Sequence, residues 1–315
     1  MPADLSRISV TAKLAAYYRQ FSDIAFAGEV ARRIAADDAF EQILREHGLQ
    51  RDKLTFYAPM FEARYKSISQ LIGKSGCSQV LELASGYSLR GLDLTQSSSI
   101  RYVEADLPDV VATKLRLLDD VRRQHGIAPS PLHVVMVADA LDLEPVRTAV
   151  GGLEHGLPLM VLCEGLIGYL TREETERLAS NVRALLGAFG GGWWICPDFS
   201  FRAEVGSLPP ERVRLREAIT GVTQRQLDAS AFEDDGDLTA FFARVGFDVR
   251  VRSQIDETPA LSSISALGLS PTWAERMRPL LRVWVMTPRG ERRRFISAIQ
   301  GEFQAVAEFA SSSAF

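Results

Sequence analysis

Cysteine is scarce in this chain. Cys77, Cys163 and Cys196 are the whole set among 315 residues, an odd number with no CxxC pair, so neither a disulfide framework nor a zinc-ribbon spacing is present. Histidine is nearly as rare: His47, His125, His133 and His155 form no HxxxH pair. Asp234, Asp235 and Asp237 read as a solvated turn and helix start, so no metal site is expected. Mean hydropathy is −0.01, and no apolar run approaches the ~20 residues needed to cross a bilayer. Neither sign of charge dominates: 36 Lys plus Arg stand against 40 Asp plus Glu, a net charge of −4. That balance excludes binding of nucleic acid through bulk charge. Residues 1–30 carry Asp4, Arg7, Lys13 and Arg19 and lack a signal-peptide core, so the cytoplasm is the expected location. What is present is ordinary for a globular chain, 46% apolar and 24% charged residues.

Residues 1–75 read as helices, broken near Pro59. After Gly73 and Gly76 short apolar runs alternate with longer amphipathic stretches. Strands are expected at 79–83, 100–103, 132–137, 157–163 and 193–196, then at 247–253 and 281–286. Helix 108–123 opens with Pro108 and repeats Val111, Leu115, Leu118 and Val121; helix 171–189 opens with Thr171 and Glu174 at capping-box spacing. Apolar strands alternating with amphipathic helices predict an α/β fold with a parallel sheet covered on both faces. Residues 200–234 interrupt the alternation with Pro209-Pro210 and five arginines, which suit either a solvated helix face or a gate for an acidic substrate. Ile296, Ile299, Phe303 and Val306 mark a C-terminal helix over 291–315.

Four stretches carry the chemistry. In Glu82-Leu83-Ala84-Ser85-Gly86 a buried strand ends in a small-residue turn, where a ligand can approach the backbone. Taken alone it equally suits a plain structural turn. Glu104 follows 18 residues after Gly86, where a carboxylate would accept from a ribose diol. Asp106 competes for that role or serves the N-terminus of the next helix. Asp139-Ala140 after the third strand suits an adenine contact or a helix cap. Glu164, between Cys163 and Gly165 at the end of the fourth strand, stands where donor and acceptor would meet, and needs a partner if buried.

Taken together with Tyr102-Val103-Glu104-Ala105-Asp106-Leu107-Pro108, Lys114, and Glu164-Gly165-Leu166 followed by Tyr169-Leu170, these motifs resemble the leucine carboxyl methyltransferase family, nearest the bacterial O-methyltransferases of polyketide tailoring. The resemblance covers roughly residues 10–200, with Gly246-Phe247 matching a late motif before the sixth strand. It implies a class I, Rossmann-like S-adenosylmethionine-dependent methyltransferase: a seven-stranded, mostly parallel sheet with an antiparallel last strand, helices on both faces and an N-terminal helical cover. The expected parts are a cover at 1–75, a catalytic domain at 76–290 with an insertion at 200–234, and a C-terminal extension at 291–315.

Carried over by position, Arg64, Glu82, Gly86, Glu104, Asp139, Ala140 and Glu164 would bind the cofactor. Arg64 would meet its carboxylate, Gly86 its methionine part, Glu104 its ribose, and Asp139 and Ala140 its adenine. Two positions depart from the family pattern: Ala84 stands where glycine is common, and Ser69 where an Asp is common.

A carboxylate acceptor needs no general base, whereas a hydroxyl usually does. No histidine sits in a catalytic motif, so Glu164 and Tyr169 are the expected catalytic residues, with Tyr17 and Tyr18 lining an acceptor pocket. The expected activity is O-methylation of a carboxyl or hydroxyl group on a small molecule by a monomer or homodimer. The competing readings are an NAD-linked oxidoreductase and a non-catalytic binding protein of the same fold. No nucleic-acid or membrane partner is expected.

Overall fold

The computed structural model describes residues 9–258 and 260–290, so the expected C-terminal stripe from Ile296 to Val306 lies outside the described residues. Seven strands form one sheet: β1 (Gln79–Leu83), β2 (Arg101–Asp106), β3 (His133–Val137), β4 (Leu159–Cys163), β5 (Gly192–Cys196), β6 (Phe247–Ser253) and β7 (Arg282–Pro288). Their order is β3-β2-β1-β4-β5-β7-β6, and β7 runs antiparallel to both of its neighbours while the other pairs are parallel. The mostly parallel sheet with an antiparallel last strand is therefore present.

Every residue of β1, β4 and β5 is buried, as strands covered on both faces require. One apolar cluster packs Leu178, Val182 and Leu185 of the helix Arg172–Ala188, with Phe189 just past its end, against Leu81, Val161 and Trp194. Another packs Ile68 and Ile72 against Val80, Met160 and Ile195. The helix Arg172–Ala188 begins with the expected capping box: Glu174 N–H donates to Thr171 Oγ1 at 3.2 Å and Thr171 N–H to Glu174 Oε2 at 2.9 Å. Pro59 lies in the first turn of the helix Ala58–Ser75, where its missing N–H is harmless, and so it begins that helix instead of breaking one.

The helices Ser9–Arg19, Ala27–Arg33, Ala36–His47 and Asp52–Thr55 pack together beside the sheet. Tyr17 stacks on Phe40 at 3.8 Å and Tyr18 on Phe61 at 4.4 Å between ring centroids. The chain leaves β1 toward β2 on one side and returns later to β4 on the other. Strand order reverses at β1, which opens a crevice at the carboxyl ends of these strands.

Candidate active site

The turn after β1 forms the floor of that crevice. Gly86 takes a φ of +55°, and its N–H donates to Asp106 Oδ2 at 2.7 Å. Asp106 Oδ1 accepts from Leu107 N–H at 2.8 Å, so one carboxylate at the tip of β2 fixes two backbone groups of the crevice. Ala84 sits at a φ of +52°, a left-handed conformation that costs a residue with a Cβ about 1–2 kcal/mol. The glycine common at this position in the family would remove that strain.

β2 runs three residues beyond the expected 100–103 segment, and this changes the acid at its end. Glu104 is fully buried beneath the crevice, in contact with Lys114 Nζ and 3.0 Å from His133 Nε2. A Cβ on Gly91 would lie 2.4 Å from Glu104 Oε1, so the next helix can close over the carboxylate only because residue 91 is glycine. Burial pushes the Glu104 carboxyl up, but Lys114 and His133 outweigh it and hold it at about 2. The expected ribose role of Glu104 is thus corrected: its carboxylate is spent inside the sheet layer, and Asp106, two residues on, is the acid on the cavity wall.

A cavity of about 670 Å³ extends from this turn to the cover helices and to the helix Pro210–Thr223. Arg64, Glu82, Gly86, Glu164 and Tyr169 all line it. Asp139 and Ala140 line a smaller side cavity of about 50 Å³ that shares Ala84, Asp106, Leu107 and Tyr169 with the main one. Of the two tyrosines expected in an acceptor pocket, Tyr18 lines the cavity; Tyr17 is turned inward, its hydroxyl 2.9 Å from Thr55 Oγ1. Of the four histidines none lines either cavity among the described residues.

Glu164 has the partners its burial demands. Arg90 Nη2 donates to Glu164 Oε2 at 2.6 Å, and Arg19, from the last turn of the cover helix Ser9–Arg19, pairs with Oε1. Arg90 also donates to Glu82 Oε1 at 2.5 Å and lies over the Tyr65 ring at 4.2 Å, while Tyr102 Oη donates to Glu82 Oε2 at 2.8 Å. An alternating chain Glu82–Arg90–Glu164–Arg19 therefore ties β1 to the cover. Burial pushes the Glu164 carboxyl up, but Arg19, Arg90 and Arg64 together bring it down to about 2.

An anion this strongly held is a poor proton acceptor. Burial pushes the Tyr169 phenol up, so it too keeps its proton. Neither expected catalytic residue is therefore prepared to act as a base.

Arg64 finds its partner in Asp198, at 3.4 Å, two residues past β5. Asp198 Oδ2 also accepts from Gly165 N–H at 2.5 Å and Leu166 N–H at 3.1 Å, which fixes the backbone after Glu164. Ser69, where the family pattern favours Asp, accepts from Arg90 Nε at 3.2 Å. Arg19 and Asp198 were not expected at the site. Arg212 and Arg216 belong to the arginine-rich segment read as either a solvated helix face or a gate for an acidic substrate, and their four-residue spacing puts both on one face of a helix. Of the five arginines in 200–234, Arg212 and Arg216 face the cavity, and Arg202, Arg214 and Arg225 pair with Glu233, Glu211 and Glu174.

A family model described as leucine carboxyl methyltransferase matches residues 9–183, more than half the chain. The chain belongs to that family. The chain is 29% identical over 152 residues to a protein of Mycolicibacterium paratuberculosis, and 33% identical over 154 residues to one of Mycobacterium ulcerans, both named as S-adenosyl-L-methionine-dependent methyltransferases. Each match covers 48% of this chain, and 45% and 44% of those relatives respectively, so the chain spans just under half the length of the curated relatives it matches. A crystal structure of a protein named as a methyltransferase from Thermobifida fusca superposes with a TM-score of 0.52 at 17% identity, over 87% of this chain and 94% of that one. That likeness shows the class I methyltransferase fold.

Proposed function

We propose that the protein is an S-adenosylmethionine-dependent O-methyltransferase that modifies a carboxyl or hydroxyl group of a small molecule. One observation carries this reading: a single cavity joins the Gly86–Asp106 turn at the switch point to an aromatic chamber under the cover, with Glu164 and Tyr169 on its wall. Hydride transfer from a dinucleotide is less well served, because the turn lacks a GxGxxG run.

The residues present fit the cofactor. Asp106 keeps acceptor capacity toward the cavity beyond its two backbone bonds, which suits a ribose diol. Arg64 suits a carboxylate, Gly86 leaves room for a close approach, and the side cavity at Asp139 and Ala140 suits a flat base. When bound, S-adenosylmethionine supplies a methyl group already activated on a sulfonium. The protein's part is then alignment, worth about 7–11 kcal/mol when the reacting atoms are held in near-attack geometry. Glu164 holds Arg90 and Arg19 in place, and Tyr169 donates a hydrogen bond to an acceptor oxygen.

Isothermal titration with S-adenosylmethionine, S-adenosylhomocysteine and NAD tests this, followed by methyl-label transfer to a panel of acids and phenols. Micromolar binding of the adenosyl compounds and labelled methyl esters or ethers are expected. Binding of NAD alone would refute the proposal, and adenosyl binding without transfer to any acceptor would favour the non-catalytic reading.

A further inference from the structure

Charge accounting over the cavity leaves one guanidinium without a counter-charge. Arg90 and Arg19 answer Glu82 and Glu164, Arg64 answers Asp198, Arg216 contacts Asp228, and Asp106 accepts from two backbone N–H groups. Arg212 stands one helical turn before Arg216 on the helix Pro210–Thr223 and has no carboxylate partner among the described residues. Its guanidinium lies over the Tyr57 ring at 4.4 Å, and Arg64 is the nearby charged group acting on it. Burial, with Arg64 adding to it, pushes the Arg212 guanidinium down from its usual range.

Tyr18 shares this wall. It is 2% exposed, and its hydroxyl has no hydrogen-bond partner among the described residues. Arg212 is half-buried, and a cation partly withdrawn from water without a counter-ion is unfavourable, as is a buried hydroxyl without a partner. An anion entering between the two satisfies both. The surrounding wall is apolar and aromatic, with Phe56, Tyr57, Met60 and Phe61 on it.

We propose that Arg212 and Tyr18 form a carboxylate-binding subsite in the roof of the cavity, and that the acceptors are aromatic organic acids held there by a carboxylate that is not itself methylated. The proposal rests on the methyltransferase reading for the word acceptor, and on the geometry alone for the subsite. A planar guanidinium engages both oxygens of a carboxylate at once, which fixes that group's position and orientation in the roof. The placement agrees. Arg64 and Arg216, and not Arg212, are the arginines whose charge acts on Tyr169. One turn of helix, about 5.4 Å, separates the two along the roof. A group on Arg212 is therefore displaced from the Glu164–Tyr169 end, and a different atom of the same molecule reaches that end.

The test is calorimetric titration of the S-adenosylhomocysteine-loaded protein with naphthalene-2-carboxylate and with naphthalene-2-carboxamide. The acid should bind at least tenfold more tightly than the amide. In R212Q that preference should vanish while S-adenosylhomocysteine binds as in the wild type, and R212K should recover part of it. Equal affinities for acid and amide in the wild type, a preference surviving in R212Q, or no acid binding at millimolar concentration would each overturn the subsite. Adding S-adenosylmethionine should give no methyl naphthoate; formation of that ester would overturn the non-reacting role. Failure of S-adenosylhomocysteine to bind would instead count against the methyltransferase reading, and the same titrations on the protein alone would still decide the subsite.

Discussion

Asp106 and Glu104 lie two residues apart on one strand, and their substitutions should separate cleanly. Asp106→Asn keeps the shape but removes the charge and leaves one of two backbone N–H groups, Gly86 at 2.7 Å or Leu107 at 2.8 Å, facing an amide N–H. Hydrogen bonds to a charged group contribute about 1.5–3 kcal/mol each. Losing one such bond to a ribose, together with the order of the turn, should weaken S-adenosylhomocysteine binding by roughly 10- to 100-fold. Stability should fall by about 1–3 kcal/mol, because Asp106 is buried and one backbone N–H loses its acceptor.

Glu104→Gln acts on stability and not on binding. It leaves Lys114, whose side chain is fully buried, without its anion, a loss of about 3–5 kcal/mol for a broken buried pair. The cofactor affinity of the folded fraction should stay near wild type. Calorimetry for binding and urea denaturation for stability, run on both variants, read the two effects independently. An E104Q protein of normal stability that has lost cofactor binding, or a D106N protein that binds as the wild type does, would refute the assignment of the ribose acid to Asp106.

Glu164 is held at about 2, below its ordinary 4.5, so its pairing with Arg19 and Arg90 stabilises the fold fully above about pH 5 and is lost as pH falls through the folded value. By pH 3 about 2 kcal/mol of that contribution should be gone, and urea denaturation of E164Q should show a fall between pH 6 and pH 3 smaller than wild type by that amount. Equal falls would contradict the pairing. Ala84→Gly should relieve about 1–2 kcal/mol of left-handed strain against an entropic cost of about 0.5–1 kcal/mol, a net gain of up to about 1.5 kcal/mol in chemical denaturation. A clear loss of stability would show that the Ala84 methyl packs usefully.

Local chemistry wrote the elements into the sequence. Thr171 and Glu174 cap their helix as their spacing demands, Pro108 begins its helix, and the apolar runs at 79–83 and 247–253 are strands with those bounds. The motif order also identified the family, because a turn, an acid and a strand-end glutamate at these spacings reflect one topology. Tertiary structure decided the rest. Glu104 and Asp106 look equivalent along the chain, and only the added length of β2, the closing helix at Gly91 and the reach of Lys114 make the first a buried counter-ion and the second a cavity wall.

The partners of Glu164 were likewise out of reach of any local pattern. Arg19 lies 145 residues away and Arg90 74 residues away; the first reaches the carboxylate through the packing of the helix Ser9–Arg19, the second through the pairing of β1 with β4. The cavity is lined by arginines and carboxylates whose pairing is a property of distance in space. The sequence holds the charges, and the fold decides which of them cancel and that Arg212 does not.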